Sequence, residues 1–93
     1  MISNNEYFNG TVKSLGYSSA EGNSTIGVME PGEYEFDTSF YEKMVVIEGK
    51  LEVQYPGEDS WTTYGNGSSF EVEANSSFKI KSIGQTSYLC KYE

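Results

Sequence analysis

The sequence contains no histidine, no arginine and only one cysteine among its 93 residues. Without histidine, neither a Ser-His-Asp triad nor a Cys-His pair can form, so these routes of nucleophilic catalysis are excluded. The usual zinc sites are excluded as well, because they draw on several cysteine and histidine ligands. The single Cys90 cannot form a disulfide within the chain. Without arginine, a phosphate group can be bound only by lysine, hydroxyl or backbone N–H groups.

Positive charge and long apolar runs are also scarce. Six lysines stand against 14 acidic residues, for a formal net charge of −8, and this excess of negative charge argues against nucleic acid as a partner. No run approaches the ~20 apolar residues of a membrane-spanning helix, so no membrane partner is expected. The opening residues, Met1 to Glu6, lack the basic and apolar regions of a signal peptide, and the free cysteine suits a reducing compartment. We therefore expect a cytoplasmic protein.

The residues that are present alternate in the way that β-strands require. Hydrophobic residues make up 37% of the chain and aromatic residues 15%, which is too apolar a composition for a disordered chain. The unbroken apolar run Met44–Ile47 predicts a strand that is buried on both faces. About eight to ten short strands, separated by turns rich in Gly and Ser, predict one all-β domain over residues 1–93, either a sandwich or a barrel. The alternating segments are Glu33–Asp37, Lys50–Tyr55, Phe70–Glu73, Phe78–Lys81 and Tyr88–Tyr92, with weaker candidates at Tyr7–Lys13 and Ser24–Met29.

The middle of the chain resembles the first sequence motif of the cupins, which fold as a small double-stranded β-helix or jelly-roll barrel. Gly32 stands at the start of this motif, and Glu42 and Gly49 reproduce its closing Glu-x6-Gly pattern. The two histidine positions are occupied by Thr38 and Phe40. The gap between Phe40 and Glu42 is shorter than in the motif, which indicates a trimmed loop.

The second cupin motif is matched in the same way. Gly67 begins it, and Glu73, Asn75 and Phe78 replace its proline, its glycine and its histidine. The spacing of a cupin is therefore present without the metal ligands. The resemblance implies an all-β cupin-type jelly roll with no metal site.

The whole chain is similar to the pyrimidine/purine nucleoside phosphorylase family, a group of small cupin-like proteins. The segments that carry this resemblance are Asn5–Ser14, Gly27–Phe36 and Thr86–Tyr92. The resemblance implies a reversible phosphorolysis of a broad range of nucleosides to the free base and ribose 1-phosphate. It implies inorganic phosphate as co-substrate and neither a metal nor another cofactor. One departure is Lys91, where the family often has arginine, because lysine keeps the charge but loses the fork that binds phosphate oxygens in pairs.

Glu42 and Lys91 are the candidate catalytic residues. The position of Glu42 points into the barrel in cupins, so this carboxylate is expected either to bind ribose hydroxyls and stabilise positive charge at the sugar, or to be a polar group satisfied by the protein itself. Lys91 lies in the family-like end segment, and Lys13 in the first one, so both are candidates to bind phosphate. The alternative for either lysine is a solvated position on the outer face of a strand.

The remaining candidates concern the walls of the cavity. Tyr34 and Thr38 share strand parity with Phe36, so they are expected to line the cavity, with Tyr34 either stacking on a base or packing in the core. Tyr92, together with Tyr88, is expected either to close the cavity or to pack against a second chain. Two further residues, Phe40 and Phe78, stand where metal ligands would be and are expected to make the cavity drier and smaller.

Two kinds of function besides a phosphorylase remain open at this level. One is a non-catalytic cupin module that binds a small sugar or a nucleoside-like ligand, and the other is a purely structural dimeric module. A chain of this length buries a modest share of its surface, and edge strands need cover, so we expect a homodimer whichever function holds.

Overall fold

The computed structural model describes all 93 residues and consists of antiparallel strands joined by short turns, with no helix. This confirms the all-β prediction and the expected number of strands. No helix of the length and apolarity needed to cross a bilayer is present. The ten strands are β1 (Ser3–Tyr7), β2 (Val12–Ser19), β3 (Gly22–Met29), β4 (Gly32–Asp37), β5 (Glu42–Glu48), β6 (Leu51–Gln54), β7 (Thr62–Tyr64), β8 (Ser69–Val72), β9 (Ser77–Ser82) and β10 (Thr86–Tyr92).

The strands form two sheets. The larger sheet has six strands in the order β1-β2-β3-β10-β5-β8, and the smaller has four in the order β4-β9-β6-β7. The last strand, β10, lies between β3 and β5 in the middle of the larger sheet, so it is hydrogen-bonded along both of its edges. The sheets pack through a single cluster of buried apolar side chains, the natural consequence of apolar residues at every second position.

The alternation of the sequence matches the burial in the structure. In β9, Phe78 and Ile80 are buried while Lys79 is exposed, and in β10, Tyr88 and Cys90 are buried. The predicted strands Glu33–Asp37 and Ser24–Met29 fall within β4 and β3. A turn at Gly49 and Lys50 joins β5 to β6, with Gly49 at a φ of 118° that favours glycine.

The prediction of one weak strand over Tyr7–Lys13 is wrong. β1 ends at Tyr7 and β2 begins at Val12, and the residues between them form a turn. Phe8, Asn9 and Gly10 all have positive φ, and the Gly10 N–H donates to the carbonyl of Tyr7 at 3.1 Å. The Asn-Gly pair was the available signal, since both residues tolerate this backbone conformation.

The prediction that the run Met44–Ile47 is buried on both faces is also wrong. Met44 and Val46 are buried in the core, but Val45 is partly exposed and Ile47 is 48% exposed. An unbroken apolar run arises here because the outer face of the larger sheet is itself apolar at this point. No second layer of the chain covers that face.

Candidate functional site

A cavity of about 140 Å³ lies between the two sheets. Met29, Phe78 and Ile80 are among its apolar walls. Its polar groups come from six strands, because the concave faces of both sheets converge there. These polar groups belong to Tyr7, Ser14, Thr25, Asp37, Glu42, Tyr88, Cys90 and Tyr92.

Glu42 is a half-buried carboxylate at this site, at the first position of β5. Burial raises the pKa of Glu42, and the Cys90 thiol offsets this in part by donating a hydrogen bond to Oε1 of Glu42 at 3.5 Å. Burial also raises the pKa of Cys90, so this thiol stays protonated and serves as a donor. The carboxylate has no lysine partner. The structure thus brings the candidate Glu42 into the cavity.

Tyr92 also lines the cavity, and its hydroxyl lies 3.2 Å from the hydroxyl of Thr25. Burial raises the pKa of Tyr92, and it raises that of Tyr88 to about 12. Both phenols are therefore neutral at physiological pH. They are groups that donate and accept hydrogen bonds, not charged groups.

Tyr34 and Thr38 do not line the cavity, so this expectation from strand parity is wrong. The Tyr34 hydroxyl donates to the carbonyl of Glu30 at 2.7 Å, and its ring packs against Phe8 with the ring centroids 5.1 Å apart. The hydroxyl of Thr38 lies 2.7 Å from the carbonyl oxygen of Glu73 and accepts a hydrogen bond from the N–H of Ser76 at 2.9 Å. Tyr34 is therefore a core residue, and Thr38 fixes the turn before β9. Parity failed at Thr38 because β4 ends at Asp37.

Neither candidate lysine lines the cavity. Nζ of Lys91 binds Oε1 of Glu21 at 2.6 Å, and Nζ of Lys13 lies 3.3 Å from Oε1 of Glu6. Both lysines lie on the outer face of the larger sheet, as the alternation in β2 and β10 requires. Each carries a carboxylate partner there.

Of the two phenylalanines at cupin ligand positions, one lines the cavity and the other does not. Phe78 is buried and lines the cavity, as expected. Phe40 is 60% exposed and does not line it, so the expectation that it fills the cavity is wrong. The trimmed loop before Glu42 explains this, because Phe40 lies in the turn between β4 and β5 and not on a strand face.

Sequence reasoning missed Asp37, Ser14 and Thr25 as cavity residues. Asp37 shares no parity with Phe36 in a regular strand, yet both line the cavity because β4 ends there. The signal for Thr25 lay in the pairing of β3 with β10, which sets Thr25 opposite Cys90. Such pairings cannot be read from a single sequence.

The chemistry that this arrangement allows is that of a small acidic cavity with neutral hydroxyl groups. Asp37 and Glu42 are the charged side chains that line it, and both are acidic. Such a cavity favours hydroxyl-rich or cationic groups and disfavours anions. No group of three or more Cys, Asp and Glu side chains is placed to hold a metal ion.

Comparison with known proteins places the chain in a family. Residues 2–92 match the family described as "Ppnp: Pyrimidine/purine nucleoside phosphorylase". A protein with that family's name from Tolumonas auensis is 50% identical over 93 residues, covering 100% of both chains. Another from Pseudomonas syringae pv. tomato is 53% identical over 92 residues, covering 99% of both chains.

Solved structures of similar proteins have the same fold as this chain. A crystal structure of a protein of unknown function from Vibrio parahaemolyticus has a TM-score of 0.96 and 48% identity, and the match covers 100% of this chain and 99% of that one. A cupin of the RmlC-like type from Shewanella frigidimarina has a TM-score of 0.74 at 15% identity, covering 98% and 82%. The predicted cupin-type jelly roll is thereby confirmed. This chain belongs to the pyrimidine/purine nucleoside phosphorylase family.

Proposed function

We propose that the protein catalyses the reversible phosphorolysis of purine and pyrimidine nucleosides. The C1′–N bond to the base breaks, and a bond forms between C1′ and an oxygen of hydrogen phosphate. The proton of hydrogen phosphate ends on the released base, so the products are the free base and ribose 1-phosphate. The family name supports the activity, and the cavity supports the chemistry described below.

The observation that carries this proposal is the pair of carboxylates in a cavity without a cation. As the C1′–N bond breaks, positive charge develops on the ribose ring. Glu42 and Asp37 line a small and partly apolar space, where an unpaired carboxylate interacts with such charge more strongly than it would in water. Before the reaction the same carboxylates accept hydrogen bonds from ribose hydroxyls.

Phosphate has to be bound by other groups. Hydroxyls of Tyr7, Ser14 and Tyr88 line the cavity, whereas Lys91 and Lys13 lie outside it. We propose that phosphate binds through these hydroxyl donors and that Lys91, from the outer face of the same sheet, adds positive charge at longer range once it releases Glu21.

A phosphate-dependence assay tests the function. The protein is incubated with uridine or adenosine, with and without inorganic phosphate, and the free base and ribose 1-phosphate are quantified by chromatography. We expect both products in equal amounts, and only with phosphate. A chelator such as EDTA should leave the rate unchanged, because we propose no metal. Base release that does not depend on phosphate would contradict phosphorolysis.

One observation favours a second candidate, a non-catalytic module that binds a sugar or a nucleoside-like ligand. The cavity contains no lysine, and its acidic character disfavours the anionic co-substrate. Such a module should bind uridine or ribose saturably in calorimetry, with no product formed in the presence of phosphate. The assay above therefore separates the two functions.

A further inference from the structure

A second concave surface begins where the cavity ends. It is a groove of about 260 Å³, and it shares Thr25 and Tyr92 with the cavity. The contact between the hydroxyls of Thr25 and Tyr92, at 3.2 Å, stands where the two spaces meet. Cavity and groove therefore adjoin each other and share part of their lining.

The pairing of the strands shows that the groove continues the inner face of the larger sheet. Ser3 pairs with Gly16, Gly16 with Thr25, and Thr25 with Cys90. Residues that pair directly across neighbouring strands share a face, and Cys90 lines the cavity. Two positions further along the same hairpin, Ser18 pairs with Asn23, and both also line the groove. The hairpin thus extends the concave wall beyond the cavity.

The groove is polar, and the side chains that line it are uncharged. Hydroxyls of Ser3, Ser18 and Thr25 and the amide of Asn23 line it, and no charged side chain does, although 22% of the residues are charged. The opposite face of β1 and β2 carries the ion pair of Glu6 and Lys13. The contrast between the two faces suits a ligand that is polar and neutral.

Asn23 and Gly16 give this groove its specific features. The Ser18 hydroxyl donates to Oδ1 of Asn23 at 2.7 Å, so the two N–H donors of the Asn23 amide remain for a ligand. A Cβ at Gly16 would clash with the hydroxyl of Ser3, so glycine keeps the floor of the groove flat. A flat floor with donors at one edge fits planar rings that carry hydrogen-bond acceptors.

We propose that this groove binds the heterocyclic base of the nucleoside, with a ring carbonyl or a ring nitrogen accepting a hydrogen bond from Asn23, while the cavity holds the ribose. The inference rests on the proposed function. At about 140 Å³ the cavity is smaller than the ~300–1,000 Å³ of typical ligand pockets, so a nucleoside has to extend beyond it. Contact with one edge of the base leaves room for both purines and pyrimidines.

The reverse reaction tests the groove and the cavity separately, because the base and ribose 1-phosphate are then independent substrates with their own KM values. We expect Asn23→Ala to raise the KM for uracil about 3- to 10-fold, the usual effect of losing one neutral hydrogen bond, and to leave the KM for ribose 1-phosphate unchanged. The matched control is Asn4→Ala, which removes an amide from the exposed opposite face of β1 and should change neither value. Equal changes in both KM values, or none in that for uracil, would overturn the assignment.

A second variant and a binding assay allow the groove to be tested even if the protein shows no turnover. Ser18→Trp fills the groove at an exposed position, and it should weaken uridine binding more than tenfold in titration calorimetry without phosphate. If the parent protein shows no turnover in either direction, the proposed function fails. The groove is then judged by calorimetry with uridine. Binding that Asn23→Ala weakens supports it, whereas no binding, or binding that neither variant changes, overturns it.

Discussion

Glu42 is the one candidate catalytic residue that the fold delivers to the cavity, and its environment gives it two separate properties. It is positioned by β5 and hydrogen-bonded by the Cys90 thiol, and it has no cationic partner. A carboxylate held in this way is available for charge that develops during a reaction. It also carries a cost to stability when it is ionised.

For turnover, we expect Glu42→Gln to lower kcat for uridine by a factor of roughly 10²–10³, by analogy with the loss of one preorganised electrostatic contact. The amide keeps the shape and removes the charge. The matched control is Glu35→Gln on the exposed face of β4, which should keep the parent rate. A Glu42→Gln variant that is folded and fully active would remove Glu42 from the mechanism.

For stability, the raised pKa of Glu42 fixes the sign of a pH effect. The folded pKa lies above the unfolded one, so ionisation destabilises the native state once the pH rises through the folded pKa. We expect Glu42→Gln to melt at a higher temperature than the parent at pH 8. The difference should vanish below the ordinary carboxyl pKa of 4.5, where both forms are neutral. Calorimetric melting at several pH values measures this, and a variant that melts lower at pH 8 would contradict it.

Lys91 remains a proposed source of positive charge for phosphate although it lies on the outer face. It pairs across the sheet with Ser24, a residue that lines the groove, and Glu21 holds its ammonium group. We expect Lys91→Met to raise the KM for phosphate at least about threefold, with little loss of stability, because solvent screens an exposed ion pair.

Two further variants sharpen the Lys91 test. Glu21→Gln frees the ammonium group and should lower the KM for phosphate, whereas Lys79→Met, on an exposed position of β9, should leave it unchanged. If Lys91→Met and Glu21→Gln both behave like the parent, phosphate is bound by hydroxyl groups alone.

At the scale of the elements, the close approach of β10 and β3 depends on a glycine. An added Cβ at Gly27 would lie 2.5 Å from the hydroxyl oxygen of Tyr88 and 2.8 Å from the backbone oxygen of Lys13. The ring of Tyr88, which lines the cavity, therefore lies over Gly27. The backbone oxygen cannot move without disturbing β2.

We expect Gly27→Ala to destabilise the protein by about 1–3 kcal/mol through overpacking, a fall in Tm of about 4–8 °C for each kcal/mol. Gly65→Ala is the control, since nothing lies within 4 Å of a Cβ there and its φ is not positive. Thermal unfolding followed by circular dichroism compares the two. Equal melting temperatures would show that the Tyr88 ring can move aside for the added methyl group without loss of stability.

At the scale of the whole molecule, one face of the larger sheet is apolar and uncovered. Leu15 and Ile26 pair directly across β2 and β3, and they are 50% and 44% exposed. Leu89 pairs with Ile26 on one side and with Val45 on the other, so an apolar row crosses four strands. The ion pairs Lys13–Glu6 and Lys91–Glu21 border this row, so its borders carry both positive and negative charge. A second copy can therefore approach despite the net charge of −8.

We therefore expect a homodimer that buries this face, at micromolar concentration, because an exposed apolar row of this kind is usually an interaction surface. Light scattering measures the mass. Ile26→Lys should give monomers that keep the fold. Ile83→Lys, at an exposed position outside the row, should leave the dimer intact. A monomeric mass for the parent protein would contradict the prediction.

The net charge of the protein predicts how salt changes the KM for phosphate. With a formal charge of −8 and two carboxylates in the cavity, the protein repels phosphate, and salt screens that repulsion. We expect the KM for phosphate to fall about twofold or more between about 20 and 200 mM NaCl. The KM for uridine, which is uncharged, should stay constant and serves as the internal control. A rise in the phosphate KM with salt would show that attraction by Lys91 outweighs repulsion by the net charge of the protein.

The sequence by itself determined most of the strands, the inner faces of the regularly alternating ones and the class of fold. Alternation was sufficient for β9 and β10, because it reports directly which side chains leave water, and the spacing around Glu42 placed this carboxylate in the cavity. The tertiary structure decided the rest of the site. Which strands pair, and where a strand ends, depends on contacts between residues far apart in the chain. These contacts brought Thr25 beside Tyr92, turned Thr38 into a turn-fixing residue and left Lys91 outside.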